Sequence, residues 1–175
     1  MPSPRRLQRH TTDGPGPALW GWHRLVPAGK VYWNYLLMGL ARSAPTLTSK
    51  NGLYRAMGIK VGKRVAVGLE VTMDVFWPEL ITLGDDCTIG YGTTILCHEF
   101  VHRDYATGPV VVGKRATVGA NCTILPGVVI ADDAIVSAHS LVNRDVSGFV
   151  GGVPARPLRR TASADATSSA KARKG

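Results

Sequence analysis

The sequence predicts an all-β core, a parallel β-helix wound from six-residue units and closed at its N-terminal end by a short helical cap. Aliphatic residues recur at every sixth position through most of the chain beyond Gly58. Before Gly58 the apolar period is that of a helix. A third observation is the 20 Gly and 11 Pro among 175 residues, which suit a chain that turns often. Their uneven spread excludes collagen and low-complexity sequence.

Residues 1–17 are rich in Pro, Arg and Gly, carry no apolar face, and read as a disordered, solvated tail. Residues 18–58 read as the helical cap. Trp33, Leu36, Leu37 and Leu40 fall at i, i+3, i+4 and i+7, one stripe of a helix expected to cover an end of the core. The stripe lacks the dense Lys/Arg face of a membrane-surface helix. Ser43, Ala44 and Pro45 stop this helix. A second, from about Thr48 to Met57, closes on Gly58 as its C′ residue.

From residue 59 to 147 the chain can be written in sixes. The leading pairs are Val61-Gly62, Val67-Gly68 and Met73-Asp74, then Leu83-Gly84, Ile89-Gly90 and Ile95-Leu96. After an interruption at 97–110 come Val112-Gly113, Val118-Gly119, Ile124-Leu125, Ile130-Ala131, Val136-Ser137 and Val142-Asn143. Four places after the leading aliphatic sits a small or β-branched residue, such as Cys87, Thr93, Ala116, Cys122 or Ala134. An α-helix repeats its apolar face at 3.6 residues, and a hairpin sheet resets its register at each turn. A period of six fits coils that stack on one another, with the aliphatic side chain inward and the small residue where the wall bends. Residues 148–160 follow as a closing segment, and 161–175, rich in Ala, Ser, Thr and Lys, read as a disordered basic tail.

The formal charge of +9 is unevenly placed. Residues 1–30 hold five Lys or Arg against one Asp, residues 156–175 hold six against one, and the stretch between carries ten of each sign. Basic ends attract polyanions nonspecifically, but no nucleic-acid motif accompanies them, so no specific nucleic-acid partner is expected. No apolar stretch approaches the ~20 residues that span a bilayer, so no transmembrane segment is expected. Three Cys without a CxxC pair suit a reduced, cytoplasmic protein, and Cys87 and Cys122 fall on the small-residue column as inert core.

Three stretches carry a resemblance: LGDDCTIGYG at 83–92, VGKRATVGANCTILPGVVI at 112–130, and residues 136–156 ending Gly-Gly-Val-Pro-Ala-Arg. They resemble the hexapeptide-repeat acyltransferases, and within these the maltose/galactoside and xenobiotic O-acetyltransferase group. The resemblance implies a left-handed β-helix, against the usual right-handed rule for crossovers. It also implies a homotrimer, acetyl-CoA or another acyl-CoA as co-substrate, no metal, and direct transfer to a hydroxyl or amine of a small-molecule acceptor such as a sugar.

By the same resemblance, His98 in the interrupting loop stands where the family has its general base. A neutral imidazole, with a reference pKa near ~6.5, can take the acceptor proton and return it to the leaving thiolate. Glu99 is a candidate to orient it, and His102 a reserve base. The other break in the hexads, with Asp74, Phe76, Trp77 and Glu79, can face the acceptor, as can Tyr105 in the loop. Trp77-Pro78 can equally plug a bulge in the wall. Motif matching places Ala120 and Ala138 beside the pantetheine arm, Asn143 and Arg144 near the nucleotide end, and Arg156 and Arg159 at the CoA phosphates. His139 has no assigned role. Two alternatives share the fold: a non-catalytic trimeric scaffold or binding module, and a γ-carbonic-anhydrase-like zinc enzyme using His98, His102 and His139.

Overall fold

A computed structural model describes residues 5–13 and 16–159. The expected tail 161–175 lies outside the described residues. From Lys60 onward short parallel strands build three flat faces of a prism. The first face holds Lys60–Val61, Ile81–Leu83, Val110–Val112 and Val129–Ile130. The second begins with Ala66–Val67 and runs through four further rungs to Phe149–Gly151, with Arg156–Pro157 added antiparallel. The third holds Thr72–Met73, Thr94–Ile95, Thr123–Ile124 and Leu141–Val142.

The register puts the leading aliphatics on top of one another. Val61, Leu83, Val112 and Ile130 form one column. Val67, Ile89, Val118, Val136 and Val150 form the second, and Met73, Ile95, Ile124 and Val142 the third. All but Val61 are buried. Each wholly buried aliphatic contributes about 1.5–3 kcal/mol. The small-residue column is buried too, Cys87, Thr93 and Ala116 completely. Burial pushes the Cys87 thiol up to about 11, so it stays protonated.

The bends are made by residues in the left-handed region, among them Arg64, Asp86, Arg115, Asp133 and His139. At one corner they pair coil to coil, Arg64 with Asp86 and Arg115 with Asp133. At the bend before His139 the backbones of successive coils approach closely. A Cβ on Gly119 would lie 2.5 Å from the Ala138 nitrogen. His139, at φ 57°, occupies a bend that glycine also suits.

A 3-10 turn at Ala18–Arg24 and two helices, α1 (Ala28–Ser43) and α2 (Leu47–Ala56), form the cap. Thr46 caps α2 by accepting the Ser49 N–H, and Gly58 follows it at φ 97°. The cap satisfies the open edge of the first coil with polar groups. Asn34 donates to the Val75 carbonyl, Lys50 to Gly68 and Asn51 to Val65, each at 2.8–2.9 Å. On α1 the Asn34 bond lies on the inward side. Its buried residues are Val31, Asn34, Leu37, Met38 and Ala41, so of the expected stripe only Leu37 is buried. Trp33, Leu36 and Leu40 are exposed.

The N-terminal segment also departs from expectation. Residues 5–13 are docked on the prism. Gln8–Thr11 pairs antiparallel with Asp104–Thr107, and the Arg6 N–H donates to the Gly127 carbonyl at 3.0 Å. Arg6 grips Asp145 with two bonds of 2.8 and 2.9 Å, and Arg5 pairs with Glu99. The strand buries no side chain. It is held by backbone pairing and charge, which a search for apolar faces does not detect.

Candidate active site

The 97–110 interruption is a β-hairpin, His98–Val101 and Asp104–Thr107, with His102 at its turn. Opposite residues of an antiparallel ladder share a face. One face of this sheet therefore carries His98, Phe100, Tyr105 and Thr107, and the other carries Glu99 and Ala106. Glu99 is turned away from the imidazole and engages Arg5.

The carboxylate that meets His98 is Asp74. Met73 is stacked directly on Ile95, so the residues after each lie on one corner of successive coils. Asp74 Oδ2 lies 2.5 Å from His98 Nδ1 and accepts the Cys97 N–H at 2.7 Å. Its Oδ1 accepts the Phe76 and Trp77 N–H groups at 2.8 and 3.0 Å. The Asp74 side chain has no exposure, so it cannot touch an acceptor as expected of it. Burial alone would push its carboxyl up. The His98 contact and the two N–H groups outweigh that and hold it below the usual carboxylate range. An ionised carboxylate only accepts, so Nδ1 carries a proton, and in the neutral imidazole Nε2 then holds the lone pair.

Aromatic rings surround the imidazole. Phe76, Phe100 and Trp77 have centroids 4.9, 5.0 and 5.3 Å from it. Trp77 stacks on Tyr105 at 5.8 Å, and Tyr105 on His10 of the N-terminal strand at 4.7 Å. Trp77 is thus part of the ring wall beside His98. Beyond Tyr105 opens a cavity of about 700 Å³ whose lining includes His10, Asp13, Trp20, His23 and Arg24. Phe76 belongs to the hexad break expected to face the acceptor, whereas His10 and Trp22 carry no such sequence signal. Cys97, next to His98, is fully buried, and burial followed by the Asp74 charge pushes its thiol far up, which removes it as a nucleophile.

The residues expected at the donor lie elsewhere. Ala120 and Ala138 are neighbours on adjacent coils, joined by the His139 N–H to Ala120 carbonyl bond of 2.8 Å. Their corner follows the second face, whereas His98 occupies the corner after the third. Asn143 and Arg144 share the His98 corner, two coils on. Arg156 and Arg159 are exposed beyond the last coil. A single chain therefore does not gather His98 and the Ala120–Ala138 wall at one corner. Among the described residues, no cluster of three or more His, Cys, Asp or Glu is placed to hold a metal ion.

Residues 109–144 match the bacterial transferase hexapeptide (six repeats) family, and residues 58–97 match the hexapeptide repeat of succinyl-transferase. YvoF of Bacillus subtilis strain 168, provisionally assigned as an acetyltransferase, is 44% identical over 155 residues, 87% of this chain and 90% of its own length. A hexapeptide-repeat acetyltransferase from Vibrio cholerae, VCA0836, superposes with a TM-score of 0.64 at 24% identity, covering 75% of this chain and 90% of its own. A galactoside acetyltransferase in complex with coenzyme A superposes with a TM-score of 0.61 at 21% identity, covering 79% and 84%. The fold is the left-handed parallel β-helix of these structures.

Proposed function

The chain belongs to the hexapeptide-repeat acetyltransferases, and on that premise we propose that it moves an acetyl group from acetyl-CoA directly to a hydroxyl or amine of a small acceptor, with His98 Nε2 as the general base. The observation that carries this reading is the Asp74–His98 contact. Asp74 is a positioning residue: it holds the proton on Nδ1, which leaves Nε2 free to accept.

Nε2 takes the acceptor proton as the acceptor oxygen or nitrogen bonds to the thioester carbonyl carbon. The tetrahedral intermediate then expels the CoA thiolate, which recovers that proton from the imidazolium. No covalent enzyme intermediate is required. General-base help of this kind is worth roughly 10²–10⁴ in rate. The ring wall of Trp77, Phe100 and Tyr105 suits the apolar face of a sugar or another flat acceptor.

The donor is assigned to Ala120 and Ala138 on the wall, Asn143 and Arg144 farther along, and Arg156 and Arg159 at the phosphates. The separation of the His98 corner from the Ala120–Ala138 corner favours a site shared between copies, hence a homotrimer in which one chain supplies the base and its neighbour the wall. The test is twofold. Acetyl-CoA at about 100 times its Kd should stabilise the protein by about 2.7 kcal/mol. His98→Ala should keep that stabilisation while transfer, followed as CoA thiol release, falls by about two to four decades. Undiminished transfer in this variant removes His98 as base. Absence of saturable stabilisation returns the chain to the scaffold reading.

A further inference from the structure

The cavity beyond Tyr105 has no part in the proposed transfer, yet its volume of about 700 Å³ is in the range of ligand sites. Its frame is tied to the hairpin that bears His98. The Thr12 and Ala18 N–H groups donate to the Arg103 and His102 carbonyls at 2.9 and 2.5 Å, at the turn of that hairpin. Gln8–Thr11 is the third strand of the hairpin sheet. Cavity and imidazole are therefore carried on one piece of structure.

The lining is of two kinds. One is aromatic, the end of a track that begins at the imidazole. Trp77 lies 5.3 Å from His98, Tyr105 lies 5.8 Å from Trp77 at an interplanar angle of 13°, and His10 lies 4.7 Å from Tyr105 at 19°. Tyr105 and His10 line the cavity, and Trp20 adds a ring that is 84% exposed. The other kind is polar, chiefly Asp13, His23 and Arg24. Asp13 and Arg24 are exposed and make no ion pair among the described residues. A carboxylate only accepts and a guanidinium only donates, so together they offer hydrogen bonds of both senses while their charges offset. A phosphate or nucleotide would meet Asp13 as a like charge. A pyranose fits both kinds of lining: its C–H face lies on the rings, and its hydroxyls donate to Asp13 and accept from Arg24.

We propose that this cavity is a saccharide subsite, which binds one pyranose residue of a glycan while another residue of the same glycan, farther along the ring track, offers its hydroxyl to His98. The acceptor class is then a glycan of two or more sugar residues in preference to a free monosaccharide, because one sugar cannot occupy both ends of the track. Its role as an acceptor subsite rests on the proposed transfer at His98, whereas binding in the cavity does not. Contacts made at the remote end hold the reacting residue at the imidazole, so binding energy gained in the cavity serves the transfer.

Saturation-transfer NMR on the full chain, without any acetyl donor, tests the subsite separately from the chemistry. The probes are maltose, lactose, cellobiose and chitobiose, each against its component monosaccharides. At least one disaccharide should bind about tenfold tighter than its monosaccharides. Trp20→Ala and Arg24→Gln should each weaken that binding by about tenfold with the melting temperature kept, since both side chains are exposed. Should Trp20→Ala melt lower, Arg24→Gln and Asp13→Asn carry the test. With acetyl-CoA added, kcat/KM should favour the same disaccharide, and the variants should lose that preference. Three results overturn the proposal: no disaccharide preferred over its monosaccharides, a preference undiminished in all three variants, or glucose 6-phosphate bound more tightly than any disaccharide. The last would make the cavity an anion site. Disaccharide binding that depends on Trp20, without transfer from acetyl-CoA, keeps the subsite and removes the proposed acetyl transfer. Transfer to monosaccharides without disaccharide binding does the reverse.

Discussion

Replacing Asp74 by Asn keeps the shape of the side chain and removes the acceptor capacity on which the candidate site depends. The carboxylate takes four donors, Phe76 N–H and Trp77 N–H on one oxygen and Cys97 N–H and His98 Nδ1 on the other. An amide oxygen can serve only one of those pairs, and the NH₂ then faces the other. If it faces Cys97 and His98, the Cys97 N–H loses its partner and the imidazole must accept at Nδ1, moving its proton to Nε2 and abolishing the base. If it faces Phe76 and Trp77, two N–H groups lose their acceptor. A buried donor left unpaired costs about 1–3 kcal/mol, so unfolding free energy should fall by about 2–4 kcal/mol. Transfer should drop by about two to four decades, an increase of roughly 2.7–5.5 kcal/mol in the barrier, in kcat more than in KM for acetyl-CoA. Thiol release against acetyl-CoA concentration measures both constants. The pH dependence has a definite sign. The Asp74 carboxyl is held below its ordinary value, so its stabilisation is complete above about pH 4 and is lost as pH falls through the lowered value. The Asn variant should lack that acid-side loss. Combined with His98→Ala, it should cost transfer little more than His98→Ala alone, because the two act as one unit. Transfer within about threefold of the parent, while Glu99→Gln collapses, would refute the assignment of Asp74.

Deleting residues 1–13 should lower the melting temperature, by about 2–4 °C for each kcal/mol lost, and should raise KM for the acceptor, because Tyr105 loses its stack on His10. An unchanged calorimetric transition would mean the strand is not docked in solution. Gly119→Ala should destabilise by about 1–3 kcal/mol in urea unfolding, since its Cβ would meet the Ala138 backbone at 2.5 Å. A neutral result would mean that the coils separate more easily than the stacking implies.

The prism was legible because its information is one-dimensional. A column such as Met73, Ile95, Ile124 and Val142 is a single aliphatic requirement repeated at each coil. Counting in sixes therefore returns both the wall and its register. The helix ends were legible for the same reason: Pro45 and Gly58 are local stops. The inward side of α1 was not. The Trp33 stripe predicts one inward side, yet the edge of the first coil presents carbonyls, and Asn34 is turned toward Val75. The inward side joins the Asn34 bond to the burial of Val31, Leu37, Met38 and Ala41, a set that counting i, i+3, i+4 and i+7 from Trp33 does not select. The strand at Gln8–Thr11 escaped because backbone pairing leaves no apolar signature.

The Asp74–His98 pair marks how far the register could have been carried. Most leading aliphatics on the first two faces are followed by Gly, while Met73 is followed by Asp. Its coil is immediately below the one whose corner opens into the His98 hairpin. Alignment of Met73 under Ile95 already sets residues 74 and 96–98 side by side, and an Asp there has only the corner backbone and His98 to bind. Adjacency in sequence pointed instead to Glu99, but alternate residues of a strand face opposite ways, and the next position along is turned from the imidazole by construction. In a stacked fold the neighbour that orients a candidate catalytic side chain is to be sought one coil away, at the same hexad position, before it is sought next along the chain.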